Sequence, residues 1–118
     1  MKFSRYFLKE NKDFGRITRF GQTFFDEGLK IKWLKNNLDY FRFGLIVSLR
    51  IDKRATQRNK IKRRLRAIFR ELSEKIAPSY DFVIIARPAI RTLDYHSLKE
   101  IIVNFLKKNK LTRLNFCI

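Results

Sequence analysis

The sequence predicts a small α/β fold, an α+β sandwich with the element order α-β-β-(β)-α-β-α, and three observations carry that prediction. Two stretches alternate apolar and polar residues as half-buried strands do. One run between two prolines is apolar almost throughout, as expected of a strand covered on both faces. Three further segments repeat apolar residues at helical spacing. With 118 residues there is room for one core, so residues 1–118 are read as a single domain.

The first helix is expected over about 11 to 20, where Phe14, Ile17 and Phe20 recur at helical spacing. Asn11 or Asp13 would cap it and Gly21 would end it. In GLKIKWLK (28 to 35), Leu29, Ile31 and Trp33 alternate with Lys30 and Lys32. NNLD (36 to 39) reads as a turn. In YFRFGLIVSLR (40 to 50), Phe41, Phe43, Leu45, Val47 and Leu49 share one face, opposite Arg42, Gly44, Ile46, Ser48 and Arg50. These two strands are expected to pair through the turn, and one or two short strands are allowed near Gln22 to Phe25. A long helix follows from about 56 to 75, halted before Pro78. YDFVIIAR (80 to 87) is the doubly covered strand. The last helix, near 95 to 109, carries Leu98, Ile101, Ile102, Phe105 and Leu106 as its stripe, with either Ser97 and Glu100 as a capping box or Asp94 as the cap. A helical crossover therefore joins two strands of one sheet. The segment LTRLNFCI at the end of the sequence has no assigned element.

Composition narrows the function. An apolar fraction of 45% with twelve Phe indicates a packed core and not a disordered basic tail. A net charge of +17 opposes compaction and points to a polyanionic partner, nucleic acid first and a membrane surface second. The segment MKFSRYFLKENKDF lacks a continuous apolar stretch, and no run approaches the roughly 18 uncharged apolar residues of a membrane span. Cys117 is the one cysteine, which excludes an internal disulfide and suits a reducing, cytoplasmic setting. With His96 also alone, a zinc site on those ligands is not expected. Asp13, Asp26 and Glu27 are too few and too scattered for a two-metal nuclease, so no catalytic residue and no protein-held metal is assigned.

The long helix has two unlike sides. At about 100° per residue, Ile61, Leu65, Ile68 and Leu72 fall in one stripe with Phe69 on its flank. Asn59, Arg63, Arg66 and Arg70 project oppositely, Lys62 lies at the boundary, and Lys60 and Arg64 occupy the far flank. From 50 to 70 there are ten basic residues, including Arg50, Lys53, Arg54 and Arg58, against one acid, Asp52. A helix that is merely solvated intersperses Glu with Lys at i,i+4. Here like charges sit side by side, and they crowd the first two turns, where the macrodipole favours anions. Phosphates would relieve both effects and use the free N–H groups of that end. Asn59 can donate and accept, so it either fixes a phosphate, a ribose 2′-OH or a neighbouring Arg, or acts as a local cap. Composition does not choose RNA over DNA.

In sequential context these residues resemble a known family. RNKIKRRLRAIFREL, preceded by FGLIVSLRIDKRAT and followed by YDFVIIARPAI, is similar to the bacterial ribonuclease P protein component, whose signature is an Arg-Asn-Arg-x-x-Lys-Arg-x-x-Arg helix after a Gly-containing strand. The resemblance runs from about residue 8 to 108, beginning with LKENKDF. It implies a fold like that of ribosomal protein S5, with a left-handed β-α-β crossover against the general right-handed rule. It also implies removal of the 5′ leader from precursor tRNA, catalysed by a large RNA subunit with its Mg²⁺ ions. Carried over, Arg58, Asn59, Lys62, Arg63 and Arg66 contact the catalytic RNA, with Arg50, Lys53, Arg54, Lys60 and Arg70 extending that surface. Lys60 stands where Arg is usual, which keeps the charge and loses bidentate reach. The leader would lie in a cleft between the first helix and the sheet, with Phe14 at an aromatic position, Thr18 where a second aromatic is common, and Phe20 as a substitute for it. Lys30 and Lys32 replace residues that are often apolar or aromatic, shifting the cleft from stacking toward charge. The competing reading is a ribosomal or other rRNA-binding protein of similar build.

Overall fold

The computed structural model describes residues 6–113, so Cys117 lies outside the described residues. In chain order the elements are α1 (Asn11–Phe20), β1 (Gln22–Phe25), β2 (Leu29–Lys35), β3 (Arg42–Ile46), α2 (Ala55–Leu72), β4 (Tyr80–Ala86), a 3-10 helix (Pro88–Thr92) and α3 (Tyr95–Lys108). The strands form one sheet in the order β1-β2-β4-β3. β4 is antiparallel to β2 and parallel to β3, so α2 is the crossover between two parallel neighbours.

The expected hairpin between 28–35 and 40–50 does not form, because β4 lies between these two strands. Alternation along a strand reports which face is buried and carries nothing about the neighbour. The connecting turn instead wraps the start of β4. The Asn36 backbone N–H donates to the Ser79 carbonyl at 2.7 Å, its side-chain amide donates to Asp81 Oδ1 at 2.8 Å, and the Ser79 hydroxyl donates to the Leu38 carbonyl. With its polar groups satisfied this way, the turn needs no ladder between the flanking strands. β3 is also shorter than its alternation implied. After Ile46 the chain leaves the sheet, a turn closes from the Ile51 N–H to the Ser48 carbonyl, and Leu49 is left 66% exposed where the pattern put it inside.

Two layers result. On the inner face Leu29, Ile31 and Trp33 of β2, Phe43 of β3 and Phe82, Ile84 and Ala86 of β4 pack against Ile61, Leu65, Ile68, Phe69 and Leu72 of α2 and Leu98, Ile102, Phe105 and Leu106 of α3. Phenylalanine fills much of this space. Phe43 stacks on Phe69 with centroids 4.5 Å apart, and Trp33 meets Phe105 edge-on at 5.1 Å. On the outer face α1 makes a smaller cluster of Leu8, Ile17 and Val83, joined by Phe14, Leu34 and Ile85. In the segment after α3, to which the sequence assigns no element, Leu111 is buried and Thr112 bridges Ile76.

One helix end differs from expectation and another is settled between two alternatives. α1 is capped by neither Asn11 nor Asp13, which lie within it. Its N-cap is Glu10, whose extended backbone takes that place without a side-chain hydrogen bond. For α3 the cap is Asp94, which accepts from the Ser97 N–H at 2.8 Å, and not the Ser97–Glu100 box. Gly21 is the C-cap of α1, with an extended backbone, and only glycine fits there, since a Cβ would lie 2.5 Å from the Ile17 carbonyl and 2.7 Å from that of Trp33.

Candidate nucleic-acid interface

The first surface is the outer side of α2. Burial of Ile61, Leu65, Ile68, Phe69 and Leu72 orients the helix, so Asn59, Lys60, Arg63, Arg66 and Arg70 stand exposed and Lys62 is half-buried. The helix has no acidic residue in its first turn and no side-chain cap at Arg54. Asn59 lies inside the helix, exposed, and is not its cap. Arg63, Arg66 and Arg70 line one concavity with Phe7, Ala67 and Glu71. The Arg66 guanidinium sits 5.5 Å from the Phe7 ring centroid, and Phe7 in turn rests edge-on against Phe43 at 5.4 Å. Glu71, the acid at the end of this face, is drawn toward α3 by Lys99 at 3.1 Å and by the Tyr95 hydroxyl at 3.0 Å, which hold its carboxyl below the usual range.

Not every cation of the run is equally available. Arg58 donates through Nη1 to the carbonyls of Asp52 and Lys53, both at 2.9 Å, and so ties the preceding loop to the helix. Arg54 grips Asp52 with Nε to Oδ1 at 3.1 Å and Nη2 to Oδ2 at 3.0 Å, which lowers the Asp52 pKa to about 2. Arg64 donates to the Leu93 carbonyl at 3.3 Å. Arg54, Lys60, Arg64 and Arg91 nevertheless surround one niche beside Asp52, and Arg50 and Lys53 are exposed on the loop leading to it.

The second surface is the outer face of the sheet, which the strand register divides into three rows. Leu34, Asp81 and Arg42 form the first; Thr23, Lys32, Val83 and Gly44 the second; Phe25, Lys30, Ile85 and Ile46 the third. α1 lies over the first two. Asp13 and Arg16 point to Arg42 and Asp81, while the Phe14 ring lies over Gly44, where a Cβ would collide with Phe14 Cζ and Cε1. The third row stays open, with Ile46 38% and Phe25 62% exposed. Lys32 of the second row and Lys30 of the open row stand on β2, and Phe14 sits over Gly44 on β3, so all three share the outer face of the sheet. Phe20 does not join them. It is about 120° around the helix from Phe14, on the Asp13–Arg16 flank, with Arg19 5.9 Å from its ring. Thr18 does continue the Phe14 edge, but its hydroxyl donates back to the Phe14 and Gly15 carbonyls, both at 3.0 Å.

Sequence reasoning missed Phe7, Phe25 and Arg87. Arg87 is exposed at the end of β4, with its guanidinium 6.0 Å from the Phe25 centroid. Two of the three carboxylates considered for metal chemistry, Asp13 and Asp26, are otherwise engaged. Asp13 approaches Arg16 and Arg42, and Asp26 accepts from the Gly28 N–H. Among the described residues no three His, Cys, Asp or Glu side chains converge on a point where a metal ion would sit.

The model of the family described as Ribonuclease P matches residues 3–110. The chain belongs to the ribonuclease P protein family. A ribonuclease P protein component from Pelotomaculum thermopropionicum is 38% identical over 106 residues, covering 90% of this chain and 94% of that one. One from Listeria welshimeri is 34% identical over 110 residues, covering 92% of each. The ribonuclease P protein of Staphylococcus aureus superposes with a TM-score of 0.82 at 29% identity, covering 92% of this chain and 98% of that one. That of Thermotoga maritima does so with a TM-score of 0.78 at 32% identity, over 86% and 94%. Membership assigns the chain to ribonuclease P, an endoribonuclease ribonucleoprotein of tRNA processing, with a ribonuclease P RNA as its partner, in place of the ribosomal reading. No helix among the described residues is long and apolar enough to cross a membrane.

Proposed function

We propose that this chain, acting as one domain over 1–118, binds ribonuclease P RNA through the outer side of α2 and holds the 5′ leader of precursor tRNA on the open outer face of the sheet. The observation that carries the reading is the separation of two cationic surfaces onto opposite sides of one small sandwich. One is the helix face of Asn59, Lys60, Lys62, Arg63, Arg66 and Arg70, joined by Arg50, Lys53 and Arg54 at its start. Arg58 serves both as a loop clamp and as a contact for phosphate. The other is the cleft of Phe14, Lys30 and Lys32, where an aromatic ring and two cations suit an unpaired strand.

In this division of labour the protein neutralises phosphates, stabilises the folded RNA and positions the leader. Phosphodiester hydrolysis and the Mg²⁺ ions it uses are assigned to the RNA subunit; Asp81 and Asp52 are held by arginines and Asp26 by a backbone N–H. The cytoplasm, where precursor tRNA is matured in bacteria, is the setting. The reading is tested by measuring the affinity of the assembled protein–RNA complex for a precursor tRNA and for the same tRNA lacking its leader. Tighter binding of the precursor, lost when Lys30 and Lys32 are both changed to Glu, is the expected result. Equal affinities would overturn the leader assignment.

A further inference from the structure

We propose that Phe25, at the β1 end of the open row, is a stacking platform for one unpaired nucleotide of an RNA strand, with Lys30 and Arg87 taking the adjacent phosphate. This rests on the leader reading above and adds to it a residue-level subsite at the edge of the sheet.

Phe25 is a large apolar side chain that the core does not use. Its neighbour Phe24 points inward to meet Phe105 at 5.1 Å, whereas Phe25 turns to the outer face and stays 62% exposed. Its cross-strand partner is Lys30, whose Nζ lies 5.2 Å from the ring centroid, and the Arg87 guanidinium lies 6.0 Å from it. Lys30 comes from β2 and Arg87 from the position just after β4. Arg87 is fixed at two points: its backbone N–H donates to the Gly28 carbonyl at 3.0 Å and its Nη1 to the Asp26 carbonyl at 2.8 Å. Among the described residues, neither Lys30 nor Arg87 has an ion pair within 4.0 Å.

An exposed ring flanked by two cations without an ion pair among the described residues matches the chemistry of a nucleotide, which offers a π-face and a phosphate together. A base can lie on the ring whatever its identity, and Lys30 is free to turn from the ring to the phosphate. The row Ile46–Ile85–Lys30–Phe25 spans three strand spacings, about 14 Å, so a strand entering beside Phe14 reaches Phe25 without leaving the sheet. α1 contributes one ring to the cleft, that of Phe14, and Thr18 contributes none. Phe25 supplies a second stacking surface from the opposite border.

The test uses the protein assembled with ribonuclease P RNA, and precursor tRNAs carrying 2-aminopurine at successive leader positions. With Phe25→Ala, precursor affinity is expected to fall roughly 5- to 100-fold relative to mature tRNA. The stacking-dependent quench at one leader position should disappear, and Phe25→Tyr should restore both. The exposure of the ring predicts an unchanged melt for either variant. If the wild-type protein favours precursor over mature tRNA and Phe25→Ala leaves that ratio and the quench intact, the platform is wrong and the leader reading stands. A loss shared equally by mature tRNA also overturns the platform. A wild-type protein with no preference for precursor overturns the leader reading itself, and the platform with it.

Discussion

Arg42 meets Asp81 as a two-point clamp, with Nε to Oδ1 at 2.9 Å and Nη2 to Oδ2 at 2.8 Å, beneath α1 on the outer face of the sheet. The same fully buried carboxylate accepts from Arg16 Nη2 of α1 and from Asn36 Nδ2 of the β2–β3 turn, each at 2.8 Å. One side chain on the central strand thus fixes a helix, an edge strand and a turn. Charge assistance makes these bonds strong, and the shared carboxylate holds the Arg42 guanidinium even further above its usual value. The position of α1, and with it the border of the cleft, depends on this knot.

Replacing Asp81 with Asn keeps the shape and removes the charge. Arg16 and Arg42 retain partial contact with water, at 37% and 21% side-chain exposure, so the loss is expected near the low end for breaking a buried pair, about 3 kcal/mol. Urea melts measure it. The preference for leader-bearing substrate should fall as α1 loosens, while affinity for the ribonuclease P RNA, which rests on α2, should hold.

Gly44→Ala tests how closely α1 sits on the sheet. The added methyl collides with Phe14 and approaches Leu8 Cβ to 3.3 Å. The expected cost is about 1–3 kcal/mol in a thermal or urea melt.

The two sides of α2 are separable by substitution. Arg63→Ala and Arg66→Ala should leave stability within about 0.5 kcal/mol, since both are exposed. Each should weaken RNA binding and reduce the slope of log affinity against log salt by about 1, from a starting slope of roughly −4 to −9. Leu65→Ala, at a fully buried position, should lower stability by about 2–5 kcal/mol. An Arg63→Ala protein that fails to fold would contradict the orientation of the helix.

Asp94 gives α3 a pH-dependent cap. Its carboxylate accepts from the Ser97 N–H, which favours the charged form and depresses its pKa below the ordinary 3.8. The stabilisation is therefore complete above about pH 4 and is lost as pH falls through the depressed folded value. Asp94→Ala should melt at a lower temperature than wild type at pH 7, and the two melts should converge in strong acid.

Much of this was legible in the residues. The two faces of α2 follow from Ile61, Leu65, Ile68 and Leu72 repeating against Arg63, Arg66 and Arg70, because helical period and burial are locked together. The central place of β4 follows from its unbroken apolar run. The partner of β2 was not legible, since Leu29, Ile31 and Trp33 would alternate identically beside β3 or β4. The open row was hidden for the same reason: Ile46, Ile85, Lys30 and Phe25 are neighbours only through register. Phe25 in a four-residue strand has no periodicity to mark its face, and Phe7 precedes the first regular element. Phe20 carried the opposite hazard, fitting the α1 stripe by spacing while lying on its far flank.

The most direct measurement mixes this protein with a bacterial ribonuclease P RNA and precursor tRNA at low Mg²⁺ and follows release of the 5′ leader. Stimulated cleavage at the mature 5′ end over RNA alone, with no cleavage by the protein alone, is the expected result. No stimulation with a cognate RNA, or cleavage by the protein without RNA, would contradict it.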